Sequence, residues 1–253
     1  MPMSPGNNHW LGTDNLGRDV LSRVIHGGRV SLSVGIAAML TATIIGVVVG
    51  LFAGYFGGKL DLGLMRFTEM NMTIPAILLA IAVAGLIDVE GRTFHLHPAA
   101  LPWHFLDFTL KRGMVTVFLI IGWVCWPGMV RVIRAQALAL KERGFVQAAR
   151  SLGASDAHIL FRCILPNLLP TVIVVAVMST ANTILLEVGL GYLGVGVPPP
   201  AATWGGMISD GQPYFATFPL LVIVPGLAIA LTVLAFNLLG QGLQEVIEPK
   251  RKG

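Results

Sequence analysis

Apolar residues along this chain fall in long blocks, with the charged residues pushed to the ends of each block. No charge lies between Arg29 and Lys59, between Glu69 and Asp88, between Arg112 and Arg131, or between Arg162 and Glu187. A further charge-free block runs from Asp210 to Glu245. About 20 apolar residues of helix are needed to cross the hydrocarbon core of a bilayer. The blocks therefore predict five transmembrane helices, near 31–56, 70–88, 114–132, 167–190 and 216–240. Pro75, Pro127, Pro170, Pro219 and Pro225 fall within or beside them, which a membrane helix tolerates when its neighbours re-satisfy the freed backbone groups. One such block could be a buried helix of a soluble protein. Five together predict an all-α polytopic transmembrane bundle.

Composition sharpens this picture. The 253 residues carry 17 basic and 13 acidic side chains, 12% of the chain, where a soluble domain carries about 25%. Mean hydropathy is +0.76. So few charges argue against a soluble enzyme, a disordered chain or a nucleic-acid module. The net charge of +4 is ordinary for a membrane protein with basic cytoplasmic loops. Cys125 and Cys163 offer neither a disulfide framework nor a metal-binding spacing.

Orientation follows from the loop lysines and arginines. The 131–162 loop holds Arg131, Arg134, Lys141, Arg143, Arg150 and Arg162. With Lys59, Arg66, Lys250, Arg251 and Lys252 these lie on one side if the spans alternate. The other side has Arg18, Arg23, Arg29, Arg92, Lys111 and Arg112. The bias puts the 131–162 loop and the C-terminus in the cytoplasm and residues 1–30 outside. Residues 1–30 have no apolar signal-peptide core, so an external start is awkward unless a short tail translocates unaided or a further helix precedes it.

The loop at 133–166 is the most informative soluble segment. Phe145, Ala148, Ala149 and Leu152 are spaced i, i+3, i+4, i+7, and Ala157, Leu160, Phe161 and Ile164 repeat that spacing. Each set predicts one apolar face of a short helix. Gly153 lies just past the first helix, where glycine is favoured, and Ser155 is a candidate N-cap for the second. Pro166 is where the chain is expected to turn toward the membrane. Three readings compete: an interfacial loop without a partner, a DNA-binding helix-turn-helix, and a docking element for a cytoplasmic protein. Confinement between two spans argues against DNA, but periodicity alone does not separate the other two.

Gln147-Ala148-Ala149, Gly153 and Leu165-Pro166 resemble the EAA motif of ABC-importer permeases, which reads Glu-Ala-Ala, three residues, Gly, nine residues, Ile-x-Leu-Pro. Gln147 replaces the Glu and Cys163 the Ile. Arg150-Ser151-Leu152-Gly153-Ala154-Ser155 and Ile164-Leu165-Pro166-Asn167 are similar to the dipeptide/oligopeptide/nickel branch. So are the run from His9 to Val20, Gly191-Tyr192-Leu193-Gly194, Trp204-Gly205, Pro225-Gly226, Asn237-Leu238-Leu239-Gly240 and Glu248-Pro249-Lys250. The resemblance covers residues 9 to 250.

It implies a permease paired with a second permease and two cytoplasmic ATPase subunits, fed by a periplasmic or lipid-anchored solute-binding protein. ATP and Mg²⁺ belong to the ATPases, and no cofactor is expected on this chain. Gln147, Ala148, Ala149, Gly153, Leu165 and Pro166 become the ATPase-docking residues. Gly153 sets the bend and the two alanines permit close packing, while Gln147 leaves any ion pair made by the family's Glu in doubt. Peptides or a related small solute are the expected cargo, with nickel as the alternative. The branch usually has six helices, the first ahead of Leu11-Gly12-Thr13-Asp14, and that helix is expected to be missing from this chain.

Gly189-x-Gly191-x-x-Gly194 matches a dinucleotide fingerprint, but it follows a membrane helix rather than a strand, so a helix end and turn is expected. Gly46, Gly50 and Gly54 form a small-residue stripe suited to close helix packing. Glu187, in the fourth span, is a candidate pathway or gate residue, and Asn182 is taken with it. The plain alternative has Glu187 reaching interfacial water or capping the glycine-rich turn. His95, His97 and His104, near Asp88, Glu90 and Asp107, read as ordinary loop polarity rather than a metal site. A secondary transporter should show inverted repeats and ion-relay acids. An intramembrane enzyme should show a catalytic pair, and no Ser/His/Asp set, Walker lysine or HExxH occurs. Nucleic acid is not an expected partner; membrane lipid is.

Overall fold

The computed structural model describes residues 2–6, 9–88, 93–94, 108–109 and 113–247. It is a bundle built round one long helix, α1 (Val20–Phe56). The charge-free block suggested a start at 31, but the helix begins eleven residues earlier. Asp19 caps it by accepting the Ser22 N–H at 2.7 Å, which satisfies one of the open donors of the first turn. Arg23 and Arg29 therefore ride on the helix itself. Gly57 and Gly58, both with positive φ, end it and turn the chain into α2 (Gly58–Thr73).

The expected straight helix at 70–88 is instead broken. α2 and α3 (Ala76–Asp88) meet at 93°. Pro75 has no N–H to donate and forces the residue before it out of helical geometry; Ile74 is extended, at φ −92° and ψ 129°. A two-residue antiparallel ladder pairs Thr93–Phe94 with Phe108–Thr109. α4 (Met114–Lys141) runs nine residues past its expected end. α5 (Gly144–Ser151) follows.

The second predicted loop helix is not a separate element. α6 (Asp156–His158) passes through a π-helical turn, Ile159–Ile164, directly into α7 (Leu165–Tyr192). The chain does not turn at Pro166. The Leu165 N–H bonds five residues back, to Leu160 O, and that wide turn gives the Pro166 ring room where an α-helical turn would crowd it. The short α8 (Trp204–Gly211) and α9 (Leu220–Ile247) complete the bundle. Among the described residues four helices are long and apolar enough to span a membrane, and the bent α2–α3 pair makes up to five.

α4 lies along α1, and the glycine stripe is why they can approach. A Cβ at Gly46 would stand 2.5 Å from Met129 Cβ, one at Gly50 2.8 Å from Val130 O, and one at Gly54 2.7 Å from Ala137 Cβ. From the α4 side, Gly122 meets Thr41 in the same way, at 2.7 Å. Gly35 gives α7 its approach to α1, at 2.4 Å from Ile184 Cγ1. Trp126, Met129, Val130 and Ile133 of α4 then join Met39, Leu51 and Tyr55 of α1, with Val146, Ile159, Ile164 and Leu168, in one buried cluster. Gly50→Leu is expected to lower the thermal midpoint sharply, because the clash is with backbone and overpacking costs about 1–3 kcal/mol even where side chains can yield. Gly63→Ala, where a Cβ meets nothing within 4 Å, should leave the midpoint unchanged or slightly raised. Differential scanning fluorimetry in detergent distinguishes the two.

Candidate functional site: the α5 loop and the α7 helix

The 142–166 segment is a short helix held by one buried anchor and a closed C-terminus. Val146 is fully buried against the main cluster. At the end of α5 the Gly153 N–H bonds Arg150 O and the Ala154 N–H bonds Ala149 O, the paired bonds of a Schellman cap. This cap needs a left-handed residue, and Gly153 has φ +81°. Ser155 accepts the His158 N–H at 3.3 Å and starts the next helix, as its position suggested.

The apolar face of α5 is turned outward. Leu152 is 89% exposed and Phe145 is also exposed, as is Phe161 on the π-helical turn that follows. Gln147 and Ala148 share the open surface, while Ala149 is half-buried. Gln147 Nε2 donates to Lys141 O at 3.3 Å, a local contact with no ionic partner. Leu165 is half-buried and Pro166 exposed on the helix that follows.

Tyr55 ties this loop to the bundle, and nothing in the local pattern marks it. Its hydroxyl donates to Asp156 Oδ1 at 2.5 Å and accepts from Arg150 Nη2 at 3.4 Å. Lys141 and Arg150 also stand over its ring, each 5.9 Å from the centroid. Tyr55 and Asp156 are 101 residues apart, so periodicity could not pair them. The only sequence signal was a tyrosine just ahead of Gly57-Gly58. Nearby, Arg134 of α4 makes two bonds to Asp61 of α2, at 2.5 and 2.6 Å.

Asn182 and Glu187 lie further along α7, about 24 and 32 Å from Pro166 at 1.5 Å per residue. Five residues on a helix is about 140° of net rotation, and the two side chains face differently: Asn182 is exposed and Glu187 is 0% exposed. Glu187 neither reaches interfacial water nor caps the turn. α7 instead ends in a second Schellman cap, in which Gly194 N–H bonds Gly191 O and Val195 N–H bonds Leu190 O. The glycine fingerprint thus resolves into a helix end. His95, His97, His104, Glu90 and Asp107, and the final Glu248-Pro249-Lys250, lie outside the described residues, as does the Asp88 side chain.

At the opposite end from α5 the His9–Val20 run closes on a buried carboxylate. Asp14 is 4% exposed and accepts from Leu16 N, Arg18 N, Arg18 Nε and Arg23 Nη1 at 2.6–2.9 Å. Arg23 also reaches Asp210 of α8 at 3.3 Å. Burial pushes the Asp14 carboxyl up, but the bonds from Arg18 and Leu16 outweigh it and hold it below the ordinary value of 3.8.

Apolar helices of membrane-spanning length around a glycine-packed pair, with an apolar helix face presented on a loop, define an integral membrane helical bundle. A family model described as the binding-protein-dependent transport system inner membrane component matches residues 46–253. A Brucella suis biovar 1 (strain 1330) protein described as a peptide permease is 36% identical over 252 residues, 99% of this chain and 76% of that protein. The glutathione transport system permease protein GsiD of Shigella flexneri serotype 5b is 39% identical over 249 residues, 98% of this chain and 75% of the relative. In structure, a chain of the inward-facing MetNI methionine ABC transporter aligns over 90% of this chain and 97% of its own, with TM-score 0.67 and 17% identity. The chain belongs to the binding-protein-dependent transport system inner membrane component family, as an integral membrane permease of an ABC transporter in its peptide branch.

Two outcomes follow from the caps and the buried aspartate. Gly153→Ala should strain the left-handed position by about 1 kcal/mol and speed amide exchange at 150–154 while the bundle stays protected. A carboxyl lowered on folding contributes stability that is complete above its unfolded pKa and lost as pH falls below it. Protection factors for residues 11–19, corrected for the intrinsic exchange rate at each pH, should therefore fall as pH drops below 3.8, and Asp14→Asn should show low protection there already at neutral pH.

Proposed function

We propose that this permease imports peptides or a related small solute, and that separate ATPase subunits drive it through the α5 loop. The observation that carries the reading is the outward apolar face of Phe145 and Leu152 on α5, a helix fixed by Val146, its Gly153 cap and Tyr55, with Phe161 exposed on the π-helical turn that follows. An exposed apolar face on a rigid element is suited to a partner groove. The relatives described as peptide and glutathione permeases supply the cargo class.

In this reading Gln147, Ala148, Ala149 and Gly153 seat α5 in an ATPase cleft, with Leu165 and Pro166 at its root. ATP and Mg²⁺ are held by the two ATPases, and this chain contributes no hydrolytic residue and binds no cofactor. A second permease completes the pathway, and a periplasmic or lipid-anchored binding protein delivers the solute. The α5 loop and the C-terminus face the cytoplasm of a bacterial inner membrane, as the basic residues of 131–162 favour.

The coupling route follows from continuity. Displacement of α5 pulls on Tyr55 at the end of α1 and on the helix that runs unbroken from Asp156 to Tyr192. α1 and α4 are locked at their glycines, so they move together, and α7 carries the motion to Asn182 and Glu187. Asn182, an exposed amide inside a span, lines the pathway or meets the second permease rather than lipid.

Gly153→Trp adds bulk where a Cβ meets nothing within 4 Å but strains the left-handed position, so Leu152→Asp, which leaves the cap intact, is its control. Each variant separately should abolish copurification of the ATPases, a loss of at least about tenfold in affinity for a buried apolar anchor, with membrane insertion unchanged. Retained copurification in both variants would refute the docking assignment.

A further inference from the structure

Two charged side chains of α2 stand exposed at the depth of an aromatic cluster inside the bundle. Phe67 of α2 packs against Trp126 and Trp123 of α4, with ring centroids 5.8 and 6.4 Å apart. Those tryptophans precede Arg131, the first charge on α4, by about 7.5 and 12 Å at 1.5 Å per residue. Nearer the α5 end, Asp61 of α2 holds Arg134 of α4 through two bonds, at 2.5 and 2.6 Å. α2 therefore runs along α4 into the apolar layer rather than lying flat on its surface. Arg66 and Glu69, on either side of Phe67, are carried in with it. Yet the Arg66 side chain is 74% exposed and that of Glu69 49%.

These groups share one face. Leu62, Met65, Arg66 and Glu69 recur at i, i+3, i+4 and i+7 and, with Asp61 and Arg134, line an open groove of about 520 Å³, within the size range of ligand sites. Thr73 continues the face four residues on and donates to Glu69 O at 3.0 Å. There the helix breaks, and Ile74, Pro75 and Ala76 are exposed. Just past the break, Ile77 of α3 stands against Gly189 near the far end of α7, where a Cβ would be 3.3 Å from its Cδ1. The break thus lies between the tryptophan level and that far end, within the apolar layer. The exposed face of α1 differs: Ile36, Leu40 and Ile44 are all apolar and suit lipid. Neither charged side chains nor non-helical backbone face acyl chains at such depth, so the α2 face and the break do not border lipid.

The two ion pairs on this face differ in kind. Asp61 and Arg134 are spent on each other in a forked geometry that fixes α2 to α4. Arg66 and Glu69 touch once, at 3.4 Å, and no other side-chain partner engages either head group among the described residues. A protein surface closing over them would bury two charges with most of their hydrogen-bonding capacity unmet, which is costly; water leaves them solvated. We propose that this face borders a water-filled solute path and that Arg66 and Glu69 touch the solute in transit. Arg66 takes a carboxylate and Glu69 an ammonium group, the two charges that a zwitterionic peptide presents. An exposed ion pair is weak, so a passing peptide displaces it and leaves again, as a conducting path requires. The proposal rests on the reading of the chain as a peptide permease, and it names the residues that select zwitterionic cargo.

The test uses the complete transporter, with Cys125→Ala and Cys163→Ala in this chain for the labelling arm. In lipid nanodiscs, Arg66→Cys and Glu69→Cys are exposed to a charged, membrane-impermeant thiosulfonate, without nucleotide and after vanadate trapping. Labelling of this chain is read by mass, with Leu40→Cys as the apolar-face reference. Both positions should label faster than Leu40→Cys in at least one of the two states. In proteoliposomes, Arg66→Gln and Glu69→Gln should each slow uptake of short zwitterionic peptides about tenfold, the loss of one charge-assisted hydrogen bond. The thermal midpoint and ATPase copurification should stay at wild-type values, because an exposed ion pair contributes little stability. The proposal is overturned if neither cysteine outpaces Leu40→Cys in either state, if either glutamine variant takes up peptide at the wild-type rate, or if uptake falls only together with the midpoint. A wild-type complex that takes up no peptide refutes the cargo reading instead, and labelling alone then decides whether the groove borders water.

Discussion

Everything in this bundle depends on how close α1 and α4 can come. In lipid, burial of apolar surface gives helices no advantage over contact with acyl chains, so association rests on van der Waals packing and interhelical hydrogen bonds. Gly46, Gly50 and Gly54 bring the backbone of α4 against α1 at distances no side chain would permit. Gly122 repeats the device from the other helix, and Gly35 does so for α7. α1 thereby becomes the axis to which α4, α7 and α8 are fitted.

The α5 loop is anchored to that axis. Tyr55 stands one residue from the end of α1 and gathers Asp156, Arg150 and Lys141. The same few residues thus connect α5 to the packed pair and to the root of α7. The π-helical turn at Ile159–Ile164 keeps the helix continuous past Pro166, from Asp156 to Tyr192. At the far end, the Asp14 knot fixes the polar run before α1 to α8 through Arg23 and Asp210. Each end is held by charged groups paired off the lipid, and the middle by small residues.

Much of this was legible from residue order. The charge-free blocks located the apolar spans, the glycine spacing located the close contact, and the periodicity of 145–164 with Gly153 and Ser155 located two helix boundaries. Where the structure departs from the residue pattern, the cause is physical. Counting charges missed the first eleven residues of α1, because Arg23 is neutralised by Asp14 and Asp210 and Arg29 is tolerated on an exposed face. Hydropathy passed smoothly over the bend at Ile74–Pro75, where the missing N–H and the ring of proline decide the geometry. Pro166 was expected to turn the chain and does not, since a wide turn ahead of it relieves the clash.

By itself the sequence determined the solvent, the spans and the residues small enough to pack, since these depend on composition and spacing within one helix. Only the tertiary structure decided which way the α5 face points, that Val146 rather than Phe145 is its anchor, and that Tyr55 meets Asp156. It alone separated Asn182, open to the outside of the chain, from Glu187, sealed beside Ser31. These are properties of relative placement, and they arise from contacts between residues far apart in the chain, which a local pattern does not encode.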